Sequence, residues 1–196
     1  MEGAALRVVR ASDQQRVRWR NDGGWTRDVA CHSPYGHDFS WRISIADVET
    51  NGPFSRFDGF DRLLVLIGGA GMDLVCTDGG ERMRLRPGTQ RARFAGEVAI
   101  TAELLDGPTT DFNAIWDRLR FSLREHDDWR DRTIAGRDGS IVVVHVLLGE
   151  VETDSGVVGV AGDTMIDESG GAIGLMGDGE AIVIVLDRLL DAEQTD

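Results

Sequence analysis

The chain has 196 residues, with 34 acidic side chains against 21 basic ones and a formal net charge of −13. All 21 basic residues are arginine, which excludes Lys Schiff-base chemistry and any Lys-dependent phosphate loop, and the acidic balance argues against binding nucleic acid or an anionic membrane surface. The length is enough for one large domain or two small fused ones, each able to bury its own core.

Strand signals dominate in chain order. Residues 6–9 read as an opening strand, and Asn21-Asp22-Gly23-Gly24 as a glycine turn leading into Trp25-Thr26. Residues 39–46 alternate strictly, with Phe39, Trp41, Ile43 and Ile45 on one face and Ser40, Arg42, Ser44 and Ala46 on the other. That period of two predicts a half-buried strand. Residues 62–67 form an apolar strand stopped at Gly68-Gly69, and residues 71–76 are expected as its hairpin partner. Residues 81–85 alternate again and end at the turn dipeptide Pro87-Gly88, and residues 99–105 form a further strand. In residues 111–120 the positions Phe112, Ile115, Trp116 and Leu119 could share a helical face, so an irregular turn or short helix is expected, entering a strand at Leu119. Residues 141–148, 156–160, 172–176 and 181–186 read as strands between Gly and Asp clusters, and residues 187–196 as a terminal helix or tail.

Many short strands with glycine-rich turns and no strand–helix alternation predict an all-β fold, a sandwich or barrel. The charge changes near residue 120. Residues 1–120 carry 16 Arg and 17 acids, whereas residues 121–196 carry 5 Arg and 17 acids. Two stacked β-barrels fit, the first over residues 1–118 and a second, acidic one over 119–196. The arginine-rich half is the place to seek an anionic ligand.

The histidines, His32, His37, His126 and His145, form no HxH or HxxxH pair, so no metal site and no cofactor are expected. There is no GxSxG elbow for a nucleophile and hence no assignable catalytic residue. Gly68-Gly69-Ala70-Gly71 lacks a following Lys and reads as a turn. Cys31 and Cys76 lie far apart outside any CxxC motif and are expected as free, buried thiols. Without a signal-like or membrane-spanning run, a cytoplasmic setting is expected. What remains is a set of polar residues at strand ends and in long connections. These are Asn21, Thr26, Arg42, Ser44, Ser55, Arg62, Asp111 and Asn113. Arginine holds a carboxylate in a two-pronged fork, and Ser, Thr and Asn orient neutral groups. Converging in a barrel mouth, these side chains would make a pocket for a small acid or amide. The competing reading pairs Arg42 and Arg62 with Asp61 or Asp111 as loop braces.

These segments resemble the HutD/Ves family of the cupin superfamily. The carrying motifs are Trp19-Arg20-Asn21-Asp22-Gly23-Gly24-Trp25-Thr26, Trp41-Arg42-Ile43-Ser44-Ile45-Ala46, the Gly-Pro-Phe-Ser loop of residues 52–62, Phe94-Ala95-Gly96-Glu97, and Asp111-Phe112-Asn113 followed by Arg118. The chain departs from the pattern at Arg20 (usually Lys), Asp22 (Gly), Trp25 (a smaller residue) and Glu97 (Asp). Asp22 is expected to add negative charge beside the pocket. The resemblance implies a bicupin, two cupin-like barrels in one chain, often a homodimer. It also implies a metal-free pocket that binds a small anionic metabolite of histidine utilisation and so senses or limits flux. Within that pocket Arg42 and Arg62 would hold carboxylate, Ser55 and Asn113 would orient polar groups, and Trp41 or Phe54 would form a wall. A metal-independent isomerase or hydrolase using Asp111 as base, and an acidic module docking a basic protein surface, are the alternatives.

Overall fold

Period-two patterning becomes strands almost everywhere in the computed structural model, which describes residues 6–33, 39–87 and 90–189. In chain order the first eleven strands are β1 (Arg7–Val9), β2 (Arg16–Arg18), β3 (Gly24–His32), β4 (Trp41–Val48), β5 (Gly52–Pro53), β6 (Phe60–Gly68), β7 (Met72–Cys76), β8 (Arg82–Leu85), β9 (Arg91–Ala95), β10 (Ile100–Leu104) and β11 (Thr109–Asp117). Then come β12 (Phe121–Glu125), β13 (Arg132–Ala135), β14 (Ile141–Leu148), β15 (Glu150–Thr153), β16 (Val158–Val160), β17 (Thr164–Asp167), β18 (Ala172–Met176) and β19 (Glu180–Arg188).

The strands divide into two units. In Gln15–Leu119 a six-stranded sheet, ordered β2-β3-β4-β11-β6-β9, meets a four-stranded sheet, β5-β10-β7-β8. Val48, Leu64, Leu66 and Ala92 of the first pack with Met72, Leu74, Leu85, Ile100 and Ala102 of the second in one buried cluster. The other unit runs from Arg120 and takes in the segment ending at Gln14. It pairs a five-stranded sheet, β1-β17-β14-β19-β12, with a four-stranded one, β13-β18-β15-β16, around Trp129, Val142, Val144, Val146, Met165, Leu175 and Val185. The all-β, two-barrel expectation is met.

Several expectations are corrected. The opening strand, expected with residues 1–118, instead pairs as β1 antiparallel with β17, and Asp163 accepts hydrogen bonds from Arg10 (2.7 Å) and the Ala11 N–H (3.0 Å). Residues 111–117 form no helix: β11 lies between β4 and β6, with Asn113 opposite both Ser44 and Leu64. Both of its faces are buried, so Phe112, Ile115 and Trp116 share a helical spacing by coincidence, while Leu119 is 83% exposed. β7 is no hairpin partner of β6. After the turn at Gly69 it crosses to the other sheet and pairs with β8 and β10. Phe39 precedes β4 rather than joining it, and packs on Phe57 and Phe60. Asp187 and Arg188 complete β19.

Cys76 is half-buried and Cys31 exposed, both free. Cys31 lies where β3 runs past its short neighbour β2. His37 with its Pro34-Tyr35-Gly36 turn, Gly88, and residues 190–196 of the expected tail lie outside the described residues. No helix among the described residues is long and apolar enough to cross a membrane.

Candidate functional site

The inward face of the first unit's large sheet changes character along its strands. On β4 the inward series runs Arg42, Ser44, Ala46, Val48, and on β6 it runs Arg62, Leu64, Leu66, so that one end of the sheet enters the apolar cluster and the other stays polar. Cross-strand register brings the polar ends together. Asp28 of β3 and Asn113 of β11 both lie opposite Ser44, and Asp111 lies opposite Ala46. A cavity of about 660 Å³ opens above them, roofed by the loop holding Phe54, Ser55 and Phe57 and rimmed by Arg18, Trp19, Arg20 and Asn21. All eight side chains singled out from the sequence line this cavity.

Two of them form its floor. Arg62 is buried, donating from one terminal nitrogen to the Ser55 carbonyl oxygen (3.2 Å) and from the other to Asn113 Oδ1 (3.3 Å), while its Nε–H has no partner among the described residues. Three rings surround its guanidinium, Phe94 at 5.1 Å, Phe54 at 5.4 Å and Phe57 at 5.5 Å. Burial pulls the Arg62 pKa down to about 10, against the opposing pull of Asp111. Asp111 is 1% exposed; its Oδ2 accepts from the Asn113 amide, and its Oδ1 is unpartnered. Burial pushes this carboxyl up to about 7, although Asn113 and Arg62 pull the other way. Asn113 thus stands between a buried cation and a buried acid, serving one with each end of its amide.

The remaining side chains have distinct parts. Arg42 is held by Asp28 through Nε (2.7 Å) and a second terminal contact, so its charge is already answered. The brace reading therefore holds for Arg42 with a different partner, since Asp61 instead pairs with Arg118 (3.2 Å). Ser55 is exposed and offers Arg62 its carbonyl rather than its hydroxyl. Thr26 accepts from the Trp19 indole (2.7 Å), which meets Phe54 edge-on at 6.5 Å. Asn21 accepts the Gly23 N–H (3.1 Å), closing the turn whose next residue, Asp22, has φ +56°. Asp tolerates that left-handed backbone where the family uses Gly; its carboxylate meets Arg18 rather than lining the cavity.

Phe54 lines the cavity, and the wall expectation is overturned for Trp41. Trp41 belongs to the opposite face of β4 from Arg42, where it is fully buried and stacked by His32. Trp25 also stays outside the cavity, its ring flanked by Arg16 (4.5 Å) and Arg18 (4.9 Å). Sequence reasoning missed Arg18, Asp28 and Phe57. Asp28 was within reach, because it follows Thr26 by two residues on the same face of β3.

Among the described residues no three His, Cys, Asp or Glu side chains are grouped to hold a metal. His145 is buried in β14 with its Nδ1 2.9 Å from the Thr164 hydroxyl.

A family model described as HutD matches residues 11–181. The chain is 40% identical over 129 residues to an uncharacterized 21.2 kDa protein in the hutC 3′ region of Pseudomonas putida, a match spanning 65% of this chain and 66% of that protein. It is also 40% identical over 129 residues to protein Ves of Escherichia fergusonii, spanning 64% of this chain and 65% of that one. In both cases the match covers less than two thirds of the relative. The structure of HutD from Pseudomonas fluorescens SBW25 (formate condition) superposes with a TM-score of 0.81 at 31% identity, covering 95% of this chain and all of that one. A cupin 2 conserved barrel domain protein from Leptotrichia buccalis, 8% identical with a TM-score of 0.57, shares the fold over 95% of this chain and 96% of that one.

Proposed function

The chain belongs to the HutD family, and on that premise we propose that its cavity binds a small anionic metabolite of histidine utilisation and thereby senses or modulates that pathway. The carrying observation is Arg62, a buried arginine with neutral hydrogen-bond partners, an unpartnered Nε–H and an aromatic cage, at the floor of a cavity of small-metabolite size. A buried cation whose direct hydrogen-bond partners are all neutral is costly, and a ligand carboxylate would offset that cost. The Pseudomonas putida relative is named for its place in the hutC 3′ region, which supports the pathway. Such a binder needs no metal or cofactor and works in the cytoplasm, as a homodimer.

The test is a thermal-shift series with histidine, urocanate, formiminoglutamate, formylglutamate and formate. A ligand at about 100 times its Kd stabilises by about 2.7 kcal/mol, raising Tm by roughly 5–10 °C for a chain of this size. A shift with at least one acid, absent in Arg62→Ala, is expected; no shift with any of them would overturn the proposal.

A second reading rests on Asp111, whose carboxyl titrates at about 7 and could act as acid or base near neutrality. A metal-independent isomerase or hydrolase would turn over one of these acids and lose that turnover in Asp111→Asn.

A further inference from the structure

We propose that the cavity seats its ligand's carboxylate between Arg62 and Asp111 together with one proton carried by Asp111, so that anion binding and protonation of that side chain are one linked event. The inference rests on the small-acid reading above and adds its regulation by pH.

The geometry leaves little choice of partners. Arg62 Nε and Asp111 Oδ1 are both buried and unpartnered among the described residues, and both side chains belong to the lining of one cavity. Asn113 fixes their roles by accepting from Arg62 with its Oδ1 and donating to Asp111 Oδ2 with its amide nitrogen. The oxygen of Asp111 left without a partner for a ligand to meet is therefore Oδ1. Ionised, that oxygen is only an acceptor, and so is every oxygen of a ligand carboxylate. The two would repel inside a buried site and leave lone pairs unmet. Protonated, Oδ1 becomes a donor, and the ligand carboxylate accepts from Arg62 Nε–H and Asp111 Oδ1–H at once. No bond to carbon changes, and the proton comes from solvent.

Arg62 from β6 and Asp47 from β4 act on Asp111 directly, and the other charged groups lining the cavity are Arg42 from β4, Asp28 from β3, Arg18 from β2 and Arg20 beyond it. Arg42 and Asp28 answer each other, and Arg27 and Arg16 pair with Asp47. Arg18 pairs with Asp22 and Glu49, and Arg20 is exposed, so Arg62 and Asp111 are the buried pair whose joint charge a ligand can change. The Asp111 carboxyl, held up to about 7 by burial, places the transition near neutral pH.

The probe is formate, labelled with carbon-13 and titrated into the full chain by NMR at about pH 6 and about pH 8.5, a range over which it stays ionised. Wild-type Kd should rise more than tenfold between the two, because affinity falls about tenfold per pH unit once Asp111 ionises. Asp111→Asn presents a permanent N–H donor in the same place. It should show one Kd at both pH values and bind more tightly than wild type at the higher. Arg62→Ala should lose the binding, which assigns the signal to this cavity. Calorimetry of the wild type in two buffers of different ionisation enthalpy gives the proton count without any variant, close to one proton taken up per formate at about pH 8. A wild-type Kd independent of pH, no proton uptake, or a pH slope that survives in Asp111→Asn would overturn the proposal while leaving the small-acid reading standing. Absence of formate binding at both pH values would overturn this proposal, and the small-acid reading falls with it only if none of the other acids shifts the melting temperature.

Discussion

Arg42 and Arg62 look equivalent in the sequence, each an arginine near the start of a largely apolar strand, and the structure separates them by what already answers their charge. Arg42 gives two donors to Asp28, whose carboxylate is half exposed. Arg62 spends two of its five donors on the neutral oxygens of Ser55 and Asn113 and keeps Nε–H unpartnered under three aromatic rings. A ligand anion gains the full charge-assisted contact at Arg62, whereas at Arg42 it must compete with Asp28. Arg62→Ala is therefore expected to weaken binding of a small carboxylate at least tenfold, equivalent to about 1.5–3 kcal/mol for one charge-assisted contact. Arg42→Ala should weaken it less, and Asp28→Ala should strengthen it by releasing Arg42. Binding isotherms for the three variants with one carboxylate check the order, and an equal loss in Arg42→Ala and Arg62→Ala would contradict it.

The strands that hold these side chains were legible where one face alone was polar. β4 announced itself by alternation, and that alternation also sorted Arg42 and Ser44 from Trp41. β11 did not, because with both faces buried it lacks a polar period, and only its register with β4 and β6 defines it. β2, β5 and β9 were equally hidden, since short edge strands are specified by the neighbour they pair with rather than by their own composition. The cavity residues were found through motif resemblance and strand ends, while Arg18 and Phe57 needed the fold to bring distant segments together. The glycines of the motifs have a local cause. A Cβ on Gly96 would collide with the Phe57 carbonyl oxygen, which accepts no substitute while Phe57 N–H bonds back to Gly96 O (2.9 Å) and Gly96 N–H to Phe60 O (2.7 Å). Arg118 ties the same loop by pairing with Glu97, which serves where the family has Asp. Gly52, by contrast, has open space where a Cβ would stand. Gly96→Ala should destabilise by about 1–3 kcal/mol, as overpacking does, and Gly52→Ala should stay within about 0.5 kcal/mol, both read from urea unfolding midpoints.

Across the whole molecule the buried carboxyls pull stability in opposite directions with pH. Asp111 has its folded pKa raised from 3.8 to about 7, so the folded state holds this proton more tightly than the unfolded one. Its contribution is complete below the ordinary carboxylate value and is lost as pH rises from about 4 to about 7, a penalty on the order of 4 kcal/mol by linkage. Asp163 and Asp187 in the acidic unit behave in reverse. Burial pushes Asp163 up, but hydrogen bonds from Arg10, Ala11 and Val160 together hold it below its ordinary value, and Asp187 is held low by Arg124. Asp73, gripped by Arg84 and Arg82, is likewise held low. Their stabilisation is present above the ordinary carboxylate value and lost as pH falls through their depressed folded values. The overall charge of −13 adds self-repulsion that grows as carboxyls ionise. Acid loss on one side and Asp111 ionisation on the other place maximum stability in the mildly acidic range, between about pH 4 and about pH 7. Thermal melts across pH at fixed ionic strength should show that maximum. Asp111→Asn should then melt higher than wild type at about pH 8 and lose that advantage toward about pH 4, because the amide carries no proton to surrender. A wild-type maximum above neutrality, with Asp111→Asn melting lower than wild type at about pH 8, would mean that Asp111 is ionised in the folded state and that Arg62 is already paired by it; a difference that does not change with pH would mean that the folded Asp111 pKa is not raised.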